Sequence, residues 1–449
     1  MSAQHADSSE WYLTCFQSFE QQLNGDSAAA VHGLRRAGID RFAASGLPSG
    51  HDENWRHAGI NAVSRTRYQP LSSTEGADAA VEESTLPRIA GWQGSELVFI
   101  NGKFAPSLST LLESSGVRAM NLADALKQEP DVVHAHLDAR SSQYEGGYAA
   151  LNSAFLQDGA FVHFTGDGAD PVHILYVTSA GAGAADGDKP MTTPRTLIVA
   201  DANVDGMVVE HFLGLTPAAY LTNAVTEIAV GEGSHIQHCK IQQEGEAGSH
   251  LATMYVTEDR DCTFTSHNVS VGGRLVRNDI TTLIAGEGIT STLNGLSLGG
   301  GSEHVDNHTT IEHAQPNCSS HELYKGVFGG QATGVFRGKI HVHPVAQKTD
   351  AYQSNKNLLV SPEANITSKP QLEIYADDVK CSHGSTTGQL DADAIFYLQT
   401  RGLSATAAVR VLTEAFADEI VDRIPHVLLR DEVRALAQTK LRSLLEETH

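Results

Sequence analysis

The strongest constraint on the fold is a stretch of about 150 residues, from Thr226 to Cys381, with strand-like segments and no convincing helical pattern. Segments such as CTFTSHNVSVGG and GVFRGKIHVHP are rich in Thr, Val, Ile and Ser, and they end at Gly, Asn, Asp or Pro, which is typical of strands. Such a run fits a sandwich, a large barrel, a propeller or a solenoid. Hairpin turns of the Asn-Gly type are scarce, with Asn294-Gly295 as one instance. We therefore favour a parallel β-solenoid, in which each short strand stacks on the next coil.

Helical patterns precede this stretch. EWYLTCFQSFEQQL has apolar residues at helical spacing, and AAAVHGLRRAGIDRFAAS predicts a second helix that ends at Gly46 and Pro48. LVFINGKF predicts a strand, a turn at Asn101-Gly102 and a returning strand, while Ser179 to Pro190 predicts a flexible surface insertion. We expect a mainly β chain divided into a mostly helical N-terminal domain over residues 1–150, a β-helix core over 151–400 and a helical C-terminal domain over 401–449.

Two amphipathic helices are predicted at the C-terminus. Ser404 is a suitable N-cap for the first of them. The apolar positions of the two helices are Val409, Leu412, Phe416 and Ile420 in the first, and Val433, Leu436, Leu441, Leu444 and Leu445 in the second. A full apolar stripe must be buried, either against the parent chain or against a partner protein. The spacing alone favours the parent chain.

Composition argues against several classes of protein. The 449 residues carry a formal net charge of −23, whereas sequence-independent binding of nucleic acid needs Lys and Arg, and docking on anionic lipid needs basic residues too. No apolar run approaches the roughly 18 residues of a membrane-spanning helix. The start MSAQHADSSEWYL lacks the pattern of a secretory signal. We therefore expect neither a nucleic-acid nor a membrane partner.

Motifs of common enzymes are missing from the sequence as well. There is no P-loop, no G-x-S-x-G, no H-E-x-x-H and no strand-borne G-x-G-x-x-G. The five cysteines are odd in number, scattered and without a C-x-x-C pair: Cys15, Cys239, Cys262, Cys318 and Cys381. This pattern fits a reducing cytosol and argues against a disulfide framework or a structural zinc site.

Two groups of histidines could carry metal chemistry. In EHVDNHTTIEH, His304, Asp306 and His308 alternate, so on a strand they share one face and could hold iron or zinc. Solvent-facing polar residues of a β-coil alternate in the same way, and this simpler interpretation is the stronger one. In KIHVHP, His341 and His343 also share a face, for which a solvated or ladder role is favoured over ligation.

A third candidate is the pair Cys381 and His383, in DDVKCSHGSTTG. An extended segment places both side chains on one face. Thiolate and imidazole are both iron ligands, but two donors do not complete a site. The remaining donors would have to come from another chain. From spacing alone, Cys381 is also well explained as a small buried hydrophobe.

The stretch from Gly334 to Ser404 resembles the core signature of the SufB/SufD family of iron–sulfur cluster assembly scaffolds. The segments PRTLIVADANVDGMVVEHFLG, YLTNAVTEIAVGEGSHIQHCKIQ and HVDNHTTIEHAQPNCSSHELYKGV are similar to that family too, and GLPSGHDENW resembles its N-terminal element. The resemblance covers most of the chain from Leu47 onwards. Cys-Ser-His-Gly, with Gly384 after the histidine, is similar to the SufD branch, because the SufB branch typically has Glu there.

The resemblance implies a right-handed parallel β-helix flanked by helical N- and C-terminal domains. It implies a scaffold subunit without turnover of its own, paired through the β-helix with SufB and bound through its C-terminal helices to the ATPase SufC. A transient iron or iron–sulfur cluster would be shared with SufB, with electrons from a reduced flavin at the level of the complex. His383 and Cys381 match the interface residues of the SufD branch, and they are the only site residues carried over. The resemblance does not decide whether the isolated chain forms a homodimer.

Two other functions compete with the scaffold. A β-helix enzyme acting on carbohydrate would use strand-borne acids such as Asp377 and Asp378 as acid and base. A purely structural or adhesive solenoid would leave Cys381 and His383 indifferent to substitution. The resemblance favours the scaffold over both.

Overall fold

The computed structural model describes residues 3–23, 30–71, 81–140, 146–166, 168–179 and 189–446. Of the predicted insertion, residues 180–188 lie outside these ranges. The N-terminal elements are α1 (Ala3–Gln22), α2 (Ala30–Ser45), α3 (Asn61–Ser64), β1 (Tyr68–Pro70), β2 (Ser95–Ile100), β3 (Lys103–Phe104), β4 (Val117–Asn121), α4 (Leu122–Gln128), α5 (Pro130–His136) and α6 (Gly147–Ala154). The predicted turn between β2 and β3 is confirmed, because Asn101 and Gly102 both have positive φ and the two strands are antiparallel.

Among the described residues from 160 to 388, strands follow one another without an intervening helix. They are β5 (Ala160–Phe164), β6 (Val172–Thr178), β7 (Lys189–Thr192), β8 (Arg195–Ala200), β9 (Asp205–Gly214), β10 (Leu221–Val230), β11 (His235–Gln243), β12 (Ser249–Glu258), β13 (Thr263–Ser270), β14 (Leu275–Ile284), β15 (Thr290–Gly299), β16 (His304–His313), β17 (Ser319–Phe328), β18 (Thr333–Val342), β19 (Asp350–Leu359), β20 (Asn365–Ile374) and β21 (Lys380–Gly388).

These strands form two facing sheets. Sheet A has the order β20-β18-β16-β14-β12-β10-β8-β5-β4, with β1 and β7 at its side, and sheet B has the order β21-β19-β17-β15-β13-β11-β9-β6-β2-β3. From β8 onwards every pairing joins a strand to the one two positions later, and every such pairing is parallel. The chain therefore alternates between the sheets and winds into a β-solenoid, as the scarcity of hairpin turns predicted.

A backbone repeat marks one corner of each coil. Residues with positive φ recur there at intervals of 27 to 31 residues: Asn203, Gly233, Asp261, Gly288, Asn317 and Lys348. Asn, Asp and Gly adopt this left-handed conformation with the least strain. Because the residue type at this corner varies and the spacing drifts, the repeat is not visible as a fixed period in the sequence.

Two helices cover the outer face of sheet B. They are α8 (Ala405–Val421) and α9 (Val427–Glu446), and they follow α7 (Ala392–Thr400). Their apolar side chains share one buried cluster with sheet residues such as Val269 and Leu296. The stripe is thus buried against the parent chain. The Ser404 side chain accepts a hydrogen bond from the backbone N–H of Ala407 at 3.2 Å, which confirms the predicted N-cap.

The buried face of α8 differs from the predicted stripe. Of the four predicted positions only Ile420 is fully buried, and the face centres on Thr413 and Ala417 instead. The change from strand to helix occurs between Gly388 and Ala392. The domain limits at residues 150 and 400 stay a prediction.

The two ends of the solenoid are built differently. At the first end β5 and β6 are buried along their whole length, beneath α4, α5 and the hairpin of β2 and β3. At the last end neither β20 nor β21 contains a buried residue. We call this last coil, β20 and β21, the open end.

Candidate functional site

Cys381 and His383 lie on β21, the outermost strand of sheet B. The register pairs Cys381 with Ala351 and His383 with Gln353, which are both buried inside the solenoid. Two residues further along, the Ser385 hydroxyl lies 2.8 Å from the Ser368 hydroxyl of β20. The three side chains therefore continue rows that face the interior, which confirms that Cys381 and His383 share a face.

Cys381 is half-buried in an apolar setting. Its side chain packs at the rim of a cluster that contains Ile340, Val342, Ala351 and Ala376. Burial raises the pKa of the Cys381 thiol. The thiol is therefore protonated at neutral pH and would have to lose that proton to bind a metal.

His383 is exposed, and β21 is the last strand of its sheet. Within the described ranges no hydrogen bond or ion pair involves its ring. Buried histidines of the solenoid are different: His313 Nε2 lies 2.8 Å from the Ser320 hydroxyl, and His238 Nε2 lies 2.9 Å from a Glu210 oxygen. His383 is thus a histidine whose nitrogens are accessible to a ligand.

A column of polar side chains lies behind His383. The same register position is occupied in preceding coils by Gln353 and Glu322, both fully buried. Gln353 Nε2 donates a hydrogen bond to Glu322 Oε2 at 2.6 Å. Burial raises the pKa of Glu322 to about 7. The sequence analysis missed both residues. Gln353 follows Glu322 by 31 residues and precedes His383 by 30 residues, which is one coil in each case. This spacing is the signal that would have found them.

The cluster of His304, Asp306 and His308 is not a metal site in the described residues, among which no group of three or more His, Cys, Asp and Glu side chains could hold an ion. Asp306 pairs with the buried guanidinium of Arg277. His308 Nδ1 lies 3.0 Å from a carboxylate oxygen of Asp279, which also pairs with Arg277. Because the Asp306 and His308 side chains are engaged with residues of β14, they do not converge on an ion.

Arg277 explains the presence of this cluster. Its guanidinium carbon lies 3.9 Å from the ring centroid of Trp55, a residue of the N-terminal element GLPSGHDENW. Such a cation–π contact is stabilising, more so when it is desolvated. The two carboxylates of Asp279 and Asp306 hold Arg277 in place. The cluster therefore fastens the N-terminal region onto sheet A.

The other polar candidates have structural settings. His341 Nδ1 lies 3.0 Å from Glu373, and His343 Nε2 lies 2.7 Å from Glu312, so each histidine pairs with a carboxylate on a neighbouring coil. This is the ladder role that was expected. The acids of the carbohydrate hypothesis, residues 377–378, lie in the exposed turn between β20 and β21 and not on a strand. No helix among the described residues is long and apolar enough to cross a membrane.

Comparison with known proteins agrees with this architecture. The family model "SUF system FeS cluster assembly, SufBD core domain" matches residues 182–416, and "SufBD protein N-terminal region" matches residues 6–169. The iron-sulfur cluster assembly protein SufD of Escherichia coli is 30% identical, over 88% of this chain and 90% of that protein.

Two further relatives come from other organisms. The SufBD family protein slr0076 of Synechocystis is 29% identical, over 93% of both chains. Protein ABCI7, chloroplastic, of Arabidopsis thaliana is 25% identical, over 96% of this chain and 91% of that protein. The matches span both the solenoid and the N-terminal region. The chain belongs to the SufB/SufD family of iron–sulfur cluster assembly proteins.

Proposed function

We propose that this chain is the SufD-type scaffold subunit of an iron–sulfur cluster assembly complex. It pairs with a SufB-type subunit through its open end, and the nascent cluster is assembled where the two chains meet. The observation that carries this proposal is the position of His383: an accessible imidazole on the outermost strand, at the end of an inward-facing row. The subunit itself catalyses no reaction.

His383 provides one donor to iron or to the growing cluster, which is the cargo of the complex. A neutral imidazole is a good ligand for iron. Cys381, two residues away on the same face, provides a second donor once its thiol is deprotonated. The remaining donors come from the SufB-type subunit, and electrons come from a reduced flavin bound by the complex.

The open end supports strand pairing with the partner. In a parallel strand the N–H and C=O groups of successive residues point to opposite sides. Lys380 N donates to Thr349 O on the side of β19, so the backbone groups of Cys381, His383, Ser385 and Thr387 point to the free side. Unpaired edges of this kind add strands from another chain. An isolated chain can use the same edge to pair with a second copy.

The C-terminal region is proposed to bind the SufC-type ATPase. The buried faces of α8 and α9 are occupied by sheet B, so docking uses the side chains that stay exposed. Large apolar ones on this region are Phe396, Tyr397, Val411, Val427 and Leu428. The ATPase subunit would supply the nucleotide chemistry for which this chain has no P-loop.

A cytoplasmic location is proposed as well. All five cysteines are free thiols, which is the usual state in a reducing compartment. A cluster assembled from iron and sulfide also needs protection from oxidation, which the same compartment provides.

The test is co-expression of the chain with its SufB- and SufC-type partners, followed by anaerobic purification of wild type and the His383→Ala variant. Co-purification and iron–sulfur absorbance are measured together. His235→Ala is the matched control, since the His235 side chain is 62% exposed on β11 of the same sheet. We expect all complexes to form and only the His383→Ala complex to lose its cluster.

Other outcomes are equally informative. A cluster retained by the His383→Ala complex would show that His383 is structural and that the ligands lie wholly on the partner. Failure of the wild-type chain to co-purify with the SufB-type subunit would overturn the assignment to the SufD branch. A Cys381→Ala variant, measured in parallel, decides whether the thiol is a ligand or a packing residue.

A further inference from the structure

The amide of Gln353 is held in one orientation. Its Nε2 donates to Glu322 in the preceding coil, at 2.6 Å. The two polar atoms of an amide point in different directions, so Oε1 is directed away from Glu322. The coil on the other side of Gln353 is that of β21. In that coil the register neighbour of Gln353 is His383. Neighbouring strands are about 4.8 Å apart, a distance that side chains in one column bridge readily.

Space for this amide is built into the opposite sheet. Gly338 of β18 faces Gln353 across the interior, and a Cβ atom at residue 338 would lie 2.2 Å from Gln353 Nε2. Glycine is therefore required at that position for the amide to lie where it does. Such a close approach of backbone to a side chain is a common reason for glycine within a strand.

The Gln353 Oε1 atom lacks a donor. It is buried and has no hydrogen-bond partner among the described residues. A buried acceptor left unsatisfied costs about 1–3 kcal/mol. The side chain next to it in the column, His383, carries an N–H donor in its neutral form.

We propose that Gln353, oriented by Glu322, is a positioning residue for His383. The exposed imidazole makes no hydrogen bond to the described residues in this structure; when the ring turns towards the solenoid, Gln353 Oε1 accepts its N–H, and the other, unprotonated ring nitrogen is thereby presented at the open end. This inference rests on the proposed function, because the unprotonated nitrogen of His383 is presented in order to bind iron. Metal-binding histidines generally donate their second nitrogen to such a partner, and loss of that partner typically lowers metal affinity about 10–100-fold.

The direct test is the tautomer of His383 in the full-length chain. Nitrogen NMR of protein labelled with 15N-histidine is recorded at about pH 8.5, roughly two units above the usual histidine pKa, where the ring is neutral. The His383 signals are identified by their absence from the His383→Ala spectrum. We expect a single tautomer in wild type and a mixture of both in Gln353→Met, which keeps the size of the side chain and removes its amide.

Two further variants separate orientation from simple packing. Glu322→Gln still offers a carbonyl oxygen to Gln353 Nε2, so the single tautomer should persist. Glu322→Met offers none, so the mixture should appear. Gln242→Met is the matched control, because Gln242 is also a fully buried glutamine of the solenoid with an unpaired Oε1, but it lies far from His383 in the coil order. It should leave the His383 signals unchanged.

The same variants are then carried into the co-expressed complex. Gln353→Met should reduce iron–sulfur absorbance per complex at least severalfold without preventing co-purification. An unchanged His383 tautomer in Gln353→Met overturns the proposal, whatever the cluster content. A changed tautomer with full cluster content overturns the positioning role, provided that His383→Ala loses the cluster. If His383→Ala keeps the cluster, the proposed role of His383 as a ligand fails, while the tautomer still decides whether the Gln353–His383 hydrogen bond exists.

Discussion

The two ends of the solenoid differ in whether the last strand edge is covered. A stack of parallel coils leaves an exposed strand edge and an exposed interior at each end. At the first end, helices and a hairpin cover β5 and β6, and charged side chains such as Arg195 and Glu227 are paired in the buried layer between sheet A and the N-terminal region. At the open end, β20 and β21 have no buried residue, and polar side chains meet solvent.

This difference supports the proposal that a partner binds at the open end. A long unprotected edge is an aggregation hazard unless it is paired or blocked. The first end is blocked by the chain's own N-terminal region. At the open end the accessible histidine and the unpaired backbone groups coincide, so one surface can serve both for association and for cluster assembly.

The largest expected effect on association with the partner concerns the open edge. Thr387→Pro removes an N–H that points to the free side of β21 and places a ring there, which a central strand does not tolerate but an edge strand does. We expect the isolated chain to stay folded and the amount of co-purified SufB-type subunit to fall at least tenfold, about 1.4 kcal/mol or more in binding free energy. Pull-down from the co-expressed complex measures this loss.

Thr387→Val is the control for that experiment. It changes the same side chain but keeps the backbone donor, so partner recovery should match wild type. If Thr387→Pro recovers as much SufB-type subunit as wild type does, the partner binds another surface. The open end would then not differ from the first end in having a partner.

The largest expected effect on folding stability concerns the buried ion pair at the first end. Arg195 is completely buried, pairs with Glu227 and lies 3.5 Å from Asp138. Arg195→Met leaves these carboxylates without its charge, and breaking a buried pair in this way typically costs about 3–5 kcal/mol. Urea unfolding followed by circular dichroism should show a lower midpoint. Lys369→Met, at the open end, removes a half-exposed lysine 3.4 Å from Glu53 and should cost less than about 1 kcal/mol.

A pH experiment tests the solenoid interior between the two ends. Glu258 is fully buried and accepts a hydrogen bond from the Ser291 hydroxyl at 2.7 Å, and burial raises its pKa to about 8. Between the usual glutamate pKa and this value the folded chain holds a proton that the unfolded chain has lost. Stability therefore falls as pH rises through this range.

Glu258→Gln removes that proton linkage. The loss of unfolding free energy between about pH 5 and pH 8 should shrink by about 2–4 kcal/mol relative to wild type. Ser291→Ala keeps the carboxyl group and should keep the wild-type dependence. Parallel pH profiles for Glu258→Gln and wild type would mean that the carboxyl is hydrated in solution.

Local chemistry allowed much of the fold to be predicted. Scarce hairpin turns and β-branched segments indicated parallel coils, and Ser404 marked the start of α8. Turn formation, strand propensity and helix capping each depend on only a few neighbouring residues, so the sequence reveals them. The buried face of α8 was predicted less well. The position of that helix is set by contacts with sheet B, where Lys325 Nζ donates to Phe416 O at 2.6 Å and holds that side of the helix half-exposed.

The candidate site was predicted only in part. The shared face of Cys381 and His383 follows from their spacing, but their exposure follows from the absence of a further coil. The polar interior was missed because its partners lie one coil apart, as with His238 and Glu210, which are 28 residues apart in sequence and 2.9 Å apart in space. Alternating polar residues in TEIAVGEGSHIQHCKIQ therefore do not reveal which face meets solvent.

The left-handed corners have a consequence for how such a chain can change. Coil length varies from 27 to 31 residues between those corners, yet the strands stay in register. Extra or missing residues lie in the turns between the strands, so the pairing of the strands is unaffected. An insertion near the exposed Gly301 would leave Glu322, Gln353 and His383 in one row. Deletion of a single residue within β21 would turn His383 outward, because each step along a strand exchanges its two faces.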